Sequence, residues 1–169
     1  MPIAGPSQTI RLHLKVIESS ESKRVNSAAI IGRLNSQMSC YAPVVGAPDV
    51  ATYSDSLNSW ALSLASGLGT QSATVYYATQ GYASGAKIYE SYEYGFVTKI
   101  EAVDASDVLH TVWEGTDPTV APVTAPTPGT TFSWTKTTYL VKGFKITINS
   151  NAGASYEEID AVQFIGYTN

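Results

Sequence analysis

The chain has 169 residues, enough for one well-buried core and short for two domains. Hydrophobic residues make up 44% and charged residues only 14%, with a net charge of −4 and no strongly basic stretch. That balance argues against a disordered chain, and against nucleic-acid binding, which needs a positive stripe to release counterions.

Eleven Tyr, thirteen Gly and eight Pro among many Ser and Thr favour an all-β protein with a hydroxyl-rich surface. The first predicted strand is 10–16: Ile10, Leu12, Leu14 and Val16 alternate with Arg11, His13 and Lys15, so one face is apolar. Residues 18–26 read as a loop and 27–34 as a short apolar strand. The Gly46 and Pro48 punctuation marks a turn, and 51–60 is a polar loop ending on Trp60. Residues 57–68 have helical spacing in places, but Ser and Gly interrupt it. Strands are then predicted at 73–78, 86–92, 96–104, 108–113, 132–134, 139–148 and 159–167. Residues 117–129 are rich in Pro and Thr and form a loop, because Pro cannot serve a central sheet position. A strand about every ten residues predicts a sandwich or barrel.

Few residues offer catalytic chemistry. His13 and His110 are the only histidines and Cys40 the only cysteine, so neither a thiol–imidazole pair nor a zinc cluster has spacing support. A single cysteine also forms no intrachain disulfide. Glu90 with Glu93, or Glu157 with Asp160, are conceivable acid/base pairs for glycoside cleavage. Nothing in the sequence sets them across a cleft, and carboxylates at strand ends usually lie on the surface. The expectation is a protein that is not an enzyme. No apolar run approaches the ~20 residues that span a bilayer, and Met1-Pro-Ile-Ala-Gly-Pro-Ser7 lacks the order of a secretory signal.

Seven pieces of the chain, in order, carry a resemblance. They are Val45-Gly-Ala-Pro-Asp49, Tyr53-Ser-Asp-Ser-Leu-Asn-Ser-Trp-Ala61, Gly85-Ala-Lys-Ile-Tyr-Glu-Ser-Tyr92, Val97-Thr-Lys-Ile-Glu-Ala-Val-Asp104, Val112-Trp-Glu-Gly115, Tyr139-Leu-Val-Lys-Gly-Phe-Lys-Ile-Thr-Ile148 and Glu158-Ile-Asp-Ala-Val-Gln-Phe-Ile-Gly166. Over residues 44–167 this order resembles the galactose-binding-like β-sandwich, particularly discoidin-type and pappalysin scarf modules. Residues 1–43 then form an N-terminal extension that adds strands to a domain spanning 44–169.

The resemblance implies an all-β jelly-roll sandwich, found in extracellular and cell-surface settings, that binds glycans, lipids or proteins through loops. It also implies a structural calcium. The family's loop Asp-Gly-Asp-x-x-Thr-x-Trp maps onto residues 53–60. Asp55 is kept, while Tyr53 stands where the family has Asp and Asn58 where it has Thr. The Glu that opens the family's last strand maps onto Glu158. Asp55, Asn58 and Glu158 are therefore the candidate metal ligands, all of them oxygen donors of the kind calcium takes. The alternative is a loop held by its own Asx turns beside an ordinary surface Glu.

Tyr89, Tyr92 and Tyr94 are the candidate ligand-binding residues, since sugar C–H faces pack on aromatic rings. Alternation places Ile88, Glu90 and Tyr92 on one strand face and Tyr89 on the other, so core packing competes with binding for each ring. Tyr94, beside Gly95 at a turn, is the one expected to be exposed, and Trp60 is expected to plug the sandwich. The leading expectation is a binding or adhesion module for a neutral glycan or surface glycoconjugate. The rival is a self-associating structural subunit whose N-terminal strand pairs with a neighbour's sheet edge. The alternative for that strand is that it completes its own sheet.

Overall fold

Apolar side chains two residues apart give the central strands a buried face: Phe144, Ile146 and Ile148 in β7 (Val141–Asn149), and Ile100 and Ala102 in β4 (Val97–Asp104). Val141, Val97 and Val103 are buried as well, at the strand ends where the β4–β7 register shifts. The computed structural model describes residues 14–16, 47–56, 58–61, 69–120, 128–150 and 157–167; of 14–16 and of Ala78 only the backbone is described.

The described strands form two layers that share one strand. β1 (Leu14–Val16), β3 (Thr70–Tyr92), β7, β4 and β5 (Leu109–Glu114) lie in that order in the first layer. β2 (Trp60–Ala61), β8 (Glu158–Tyr167), β3 and β6 (Thr130–Ser133) form the second. Every pairing is antiparallel.

β3 differs from expectation. The sequence predicts two strands, 73–78 and 86–92, but the backbone stays extended between them and changes layer. Its register on β7 jumps from Tyr76↔Gly143 to Gly81↔Val141, and from Tyr82 onward it pairs with β8. Gly81 makes the corner possible, because a Cβ there would sit 2.7 Å from the Tyr167 carbonyl oxygen.

The core lies where the layers face each other. Phe144 of β7 stacks on Phe164 of β8, with centroids 5.5 Å apart, and Tyr77 meets both rings edge-on. The Tyr77 hydroxyl donates to the Val162 carbonyl at 3.2 Å, so its one polar atom is satisfied in the core. Trp113 packs edge-on against Phe132 at 4.7 Å. Aromatic pairs of this kind contribute about 0.5–1.5 kcal/mol each beyond area burial. Trp60 plugs the sandwich as expected, 6% exposed.

The Asp/Ser turn before β5 is built by Asp104, whose Oδ1 accepts from the amides of Ser106 at 2.8 Å and Val108 at 3.0 Å. β1 pairs with β3 in its own chain, Leu14 opposite Tyr77 and Val16 opposite Val75, as one of the two sequence arrangements of that strand has it. The predicted strand at 27–34, His13, Cys40 and the 43/44 boundary lie outside the described residues. No helix of the described residues is long and apolar enough to cross a membrane.

Candidate functional site

The short β2–β8 pairing places Trp60 opposite Ile159 and Ala61 opposite Glu158. The 53–60 loop thereby lies beside the start of the last strand, as the sequence resemblance implies. Polar bonds fasten it there. The Ser56 amide donates to Glu158 Oε2 at 3.0 Å, the Ser54 amide donates to the Ser91 carbonyl at 3.2 Å, and the hydroxyls of Ser59 and Ser91 bond to each other. Further upstream, the amides of Asp49 and Val50 donate to the two oxygens of Asp160, each at 3.3 Å.

These bonds correct one expectation. Carboxylates opening a strand were expected on the surface, yet Glu157 and Glu158 are fully buried and Asp160 nearly so. The reason is tertiary: the 47–60 segment covers the start of β8 and supplies backbone N–H donors to its carboxylates. Burial raises the Asp160 carboxyl above its ordinary range, against the two amides that lower it.

The candidate metal ligands are divided. Glu158 is buried, whereas Asp55 and Asn58 are exposed on the loop. The Asn58 amide donates to Ser56 Oγ at 3.1 Å, so a serine shapes this turn. Among the described residues no three acidic, histidine or cysteine side chains surround a common point. A cation between the loop and Glu158 would therefore need loop carbonyl and amide oxygens as well as the two carboxylates.

The candidate tyrosines are also divided. Tyr92 and Tyr94 lie on either side of Tyr53, at centroid distances of 5.7 and 6.2 Å. Tyr94 is 39% exposed and the other two are half-buried. Burial, with Glu93 adding to it, pushes the Tyr53 phenol up to about 12, so it is neutral in ordinary buffers. Tyr53 joins the two candidate rings without having been among the residues expected from sequence. Its signal was the aromatic standing where the resembled loop has an Asp.

Tyr89 is apart from the cluster. Its hydroxyl donates to Gln163 Oε1 at 3.2 Å, Lys87 Nζ lies 5.2 Å from its ring centroid, and a Cβ on Gly129 would meet the ring at 2.8 Å. Simple alternation fails near this point. Glu90 and Ser91 are both buried and Tyr92 is half-exposed, because the β3–β8 register shifts between Tyr89 and Glu90 and again before Tyr92. Such irregularities re-aim side chains.

Two further acids meet behind the tyrosines. Glu90, 1% exposed, accepts from the Gly95 amide through Oε2 at 2.9 Å. Its carboxyl faces Asp117 rather than Glu93. Asp117 Oδ2 accepts from the Val97 amide at 2.9 Å; its Oδ1 accepts from the Thr119 amide at 2.8 Å and the Thr119 hydroxyl at 2.6 Å. On β5, His110 stacks on Tyr139 at 4.1 Å and shares a 2.8 Å hydrogen bond between its Nε2 and Asp104 Oδ2. That bond, with the Val108 amide, holds the Asp104 carboxyl below its usual range.

Among solved structures, a family 32 carbohydrate-binding module from Streptococcus pneumoniae EndoD superposes with a TM-score of 0.59. The match has 10% identity and covers 92% of this chain and 96% of that one. The fold is the galactose-binding-like β-sandwich. Reduced XRCC1, solved bound to the DNA pol beta catalytic domain, superposes with a TM-score of 0.60 at 14% identity, covering 95% of this chain and 99% of that one. No protein-family model and no curated protein sequence matches the chain. One structure in this comparison is named for carbohydrate and the other was solved with a protein partner, so the fold does not choose the ligand.

Proposed function

We propose that the chain is a non-catalytic glycan-binding module whose contact surface is the Tyr53, Tyr92 and Tyr94 cluster. The observation that carries this reading is the gathering of three rings from two separate segments at one rim of the sandwich. Rigid amphipathic rings offer flat faces for sugar C–H groups and hydroxyls for sugar oxygens. The low charge of the chain suits a neutral saccharide. The acids nearest the platform serve structure: Glu158 accepts from the loop and Glu90 from the turn. That role supports binding rather than hydrolysis. A glycan-binding role implies an extracellular or cell-surface setting.

A calcium ion held by Glu158, Asp55 and Asn58 belongs to the same proposal. The donors are hard oxygens, and the Ser56–Glu158 bond already brings the loop against the strand. When bound, the ion would cross-link loop to strand and so stiffen the segment that carries Tyr53. Self-association is the weaker alternative, because β1 occupies the β3 edge of its own sheet and a neighbour's strand would have to displace it.

A glycan array probed with and without calcium tests the reading. Binding to a saccharide class that falls in Tyr92→Ala and Tyr94→Ala variants supports it. A folded protein that binds no glycan under either condition overturns it.

A further inference from the structure

The Glu90–Asp117 contact lies outside the proposed metal site and behind the tyrosine platform. Three donors aim at the oxygens of Asp117, while the Gly95 amide aims at Glu90 Oε2 and the Thr119 hydroxyl also lies within reach of the Glu90 carboxyl. Glu90 Oε1 is buried and accepts nothing. A carboxyl this buried, beside Asp117 and with no ion pair to it among the described residues, is favoured in its protonated form. Glu90 Oε1 is the oxygen of the pair left without a donor, which makes it the place open to a proton.

What surrounds Glu90 agrees. On β8 its register partner is the apolar Ile159, and Glu158 stands opposite Tyr92. The loop after β5 presents Asp117, and the turn after β3 carries Glu93, so the charged groups on these neighbouring elements are all acidic. The turn needs fastening, because Glu93 has φ 53° and Gly95 has φ 74°, both in the left-handed region. Such a conformation is disfavoured for a non-glycine residue such as Glu93.

We propose that Glu90 is a positioning residue that acts as a neutral acid, donating to Asp117 and accepting from the Gly95 amide, and so locks the turn that carries Tyr94 onto the 115–119 loop. The consequence for glycan contact rests on the function proposed above; the protonation of Glu90 does not. Burial, followed by the contact with Asp117, raises the Glu90 carboxyl to about 10, so the acid stays protonated at neutral pH.

Two measurements need no glycan. The infrared difference between wild type and Glu90→Gln at neutral pH should show loss of a protonated-carboxyl stretch; loss of a carboxylate band instead overturns the proposal. Melting of the wild type alone should weaken as pH rises from neutral toward 10, with the slope flattened in Glu90→Gln. A flat wild-type profile, or a chelator-sensitive melt in wild type that Glu90→Gln abolishes, would mean that the pair carries no proton or holds a cation. If a glycan ligand is in hand, Glu90→Gln should bind within about threefold of wild type, and Glu90→Ala roughly tenfold more weakly through a loosened Tyr94. Equal binding by all three proteins overturns the positioning role while leaving the glycan reading intact.

Discussion

The Ser56 backbone amide donates to Glu158 Oε2 at 3.0 Å across a sequence separation of 102 residues. This bond joins the loop before β2 to the first residue of β8, and it turns a strand-opening carboxylate into an interior group. Replacing Glu158 by Ala leaves the amide without its acceptor and opens a hole under the loop. The expected cost is about 1–3 kcal/mol by chemical denaturation, with Glu158→Gln costing less because its amide oxygen still accepts. Equal stability of wild type and the Ala variant would remove this bond as the loop's fastening.

The proposed calcium gives a second expectation. An ion that binds only the folded state raises the melting midpoint, by about 2.7 kcal/mol of stability at a concentration of 100 times Kd. The rise should vanish in Glu158→Gln and shrink in Asp55→Ala. A midpoint indifferent to calcium and to chelator would leave the loop held by its hydrogen bonds alone.

Tyrosine substitutions should separate by position. Tyr94→Ala and Tyr92→Ala each lose about 0.5–1.5 kcal/mol of ring contact with a bound sugar, roughly two- to tenfold in Kd. Tyr89→Ala should leave glycan affinity alone and lower stability, because its ring and hydroxyl are used by Gly129 and Gln163. Titration calorimetry alongside thermal melts reads both effects.

The pH dependence of stability has a definite sign. The Glu90 carboxyl sits at about 10 in the folded protein against an ordinary value of 4.5. The native state thus keeps a proton that the unfolded chain has released. This contribution is complete below about pH 4.5 and is lost as pH climbs toward 10, at about 1.4 kcal/mol per pH unit. Denaturation at a series of pH values between 6 and 9, as approximate settings, checks the slope against Glu90→Gln.

Gly143 tests the central register. A Cβ there would lie 2.4 Å from the Val75 carbonyl oxygen, and backbone of a central strand cannot step aside. Gly143→Ala should destabilise by about 1–3 kcal/mol, whereas Gly115→Ala, whose Cβ would meet Trp113 at an ordinary 3.6 Å, should not. Comparable stability of the two variants would mean that β3 and β7 can separate slightly at no cost.

The strands Val97–Asp104 and Val141–Asn149 were legible from sequence, as 96–104 and 139–148, because the pattern that marks a strand is local. The same holds for the Asp104 turn. The order of motifs was enough to set Trp60 beside the start of β8. Three features were not legible. β3 runs through its corner as one strand because β7 and β8 take it up in turn, and neither partner is near it in sequence. The outward turn of Tyr92 comes from register shifts against β8, which no pattern within 86–92 encodes. The burial of Glu158, and the proton shared by Glu90 and Asp117, depend on which distant amides and carboxyls fold over them. Local periodicity therefore determined the strands and their apolar faces. Only the tertiary structure decided which polar groups lost their water, because desolvation is set by the whole packed chain and not by sequence neighbours.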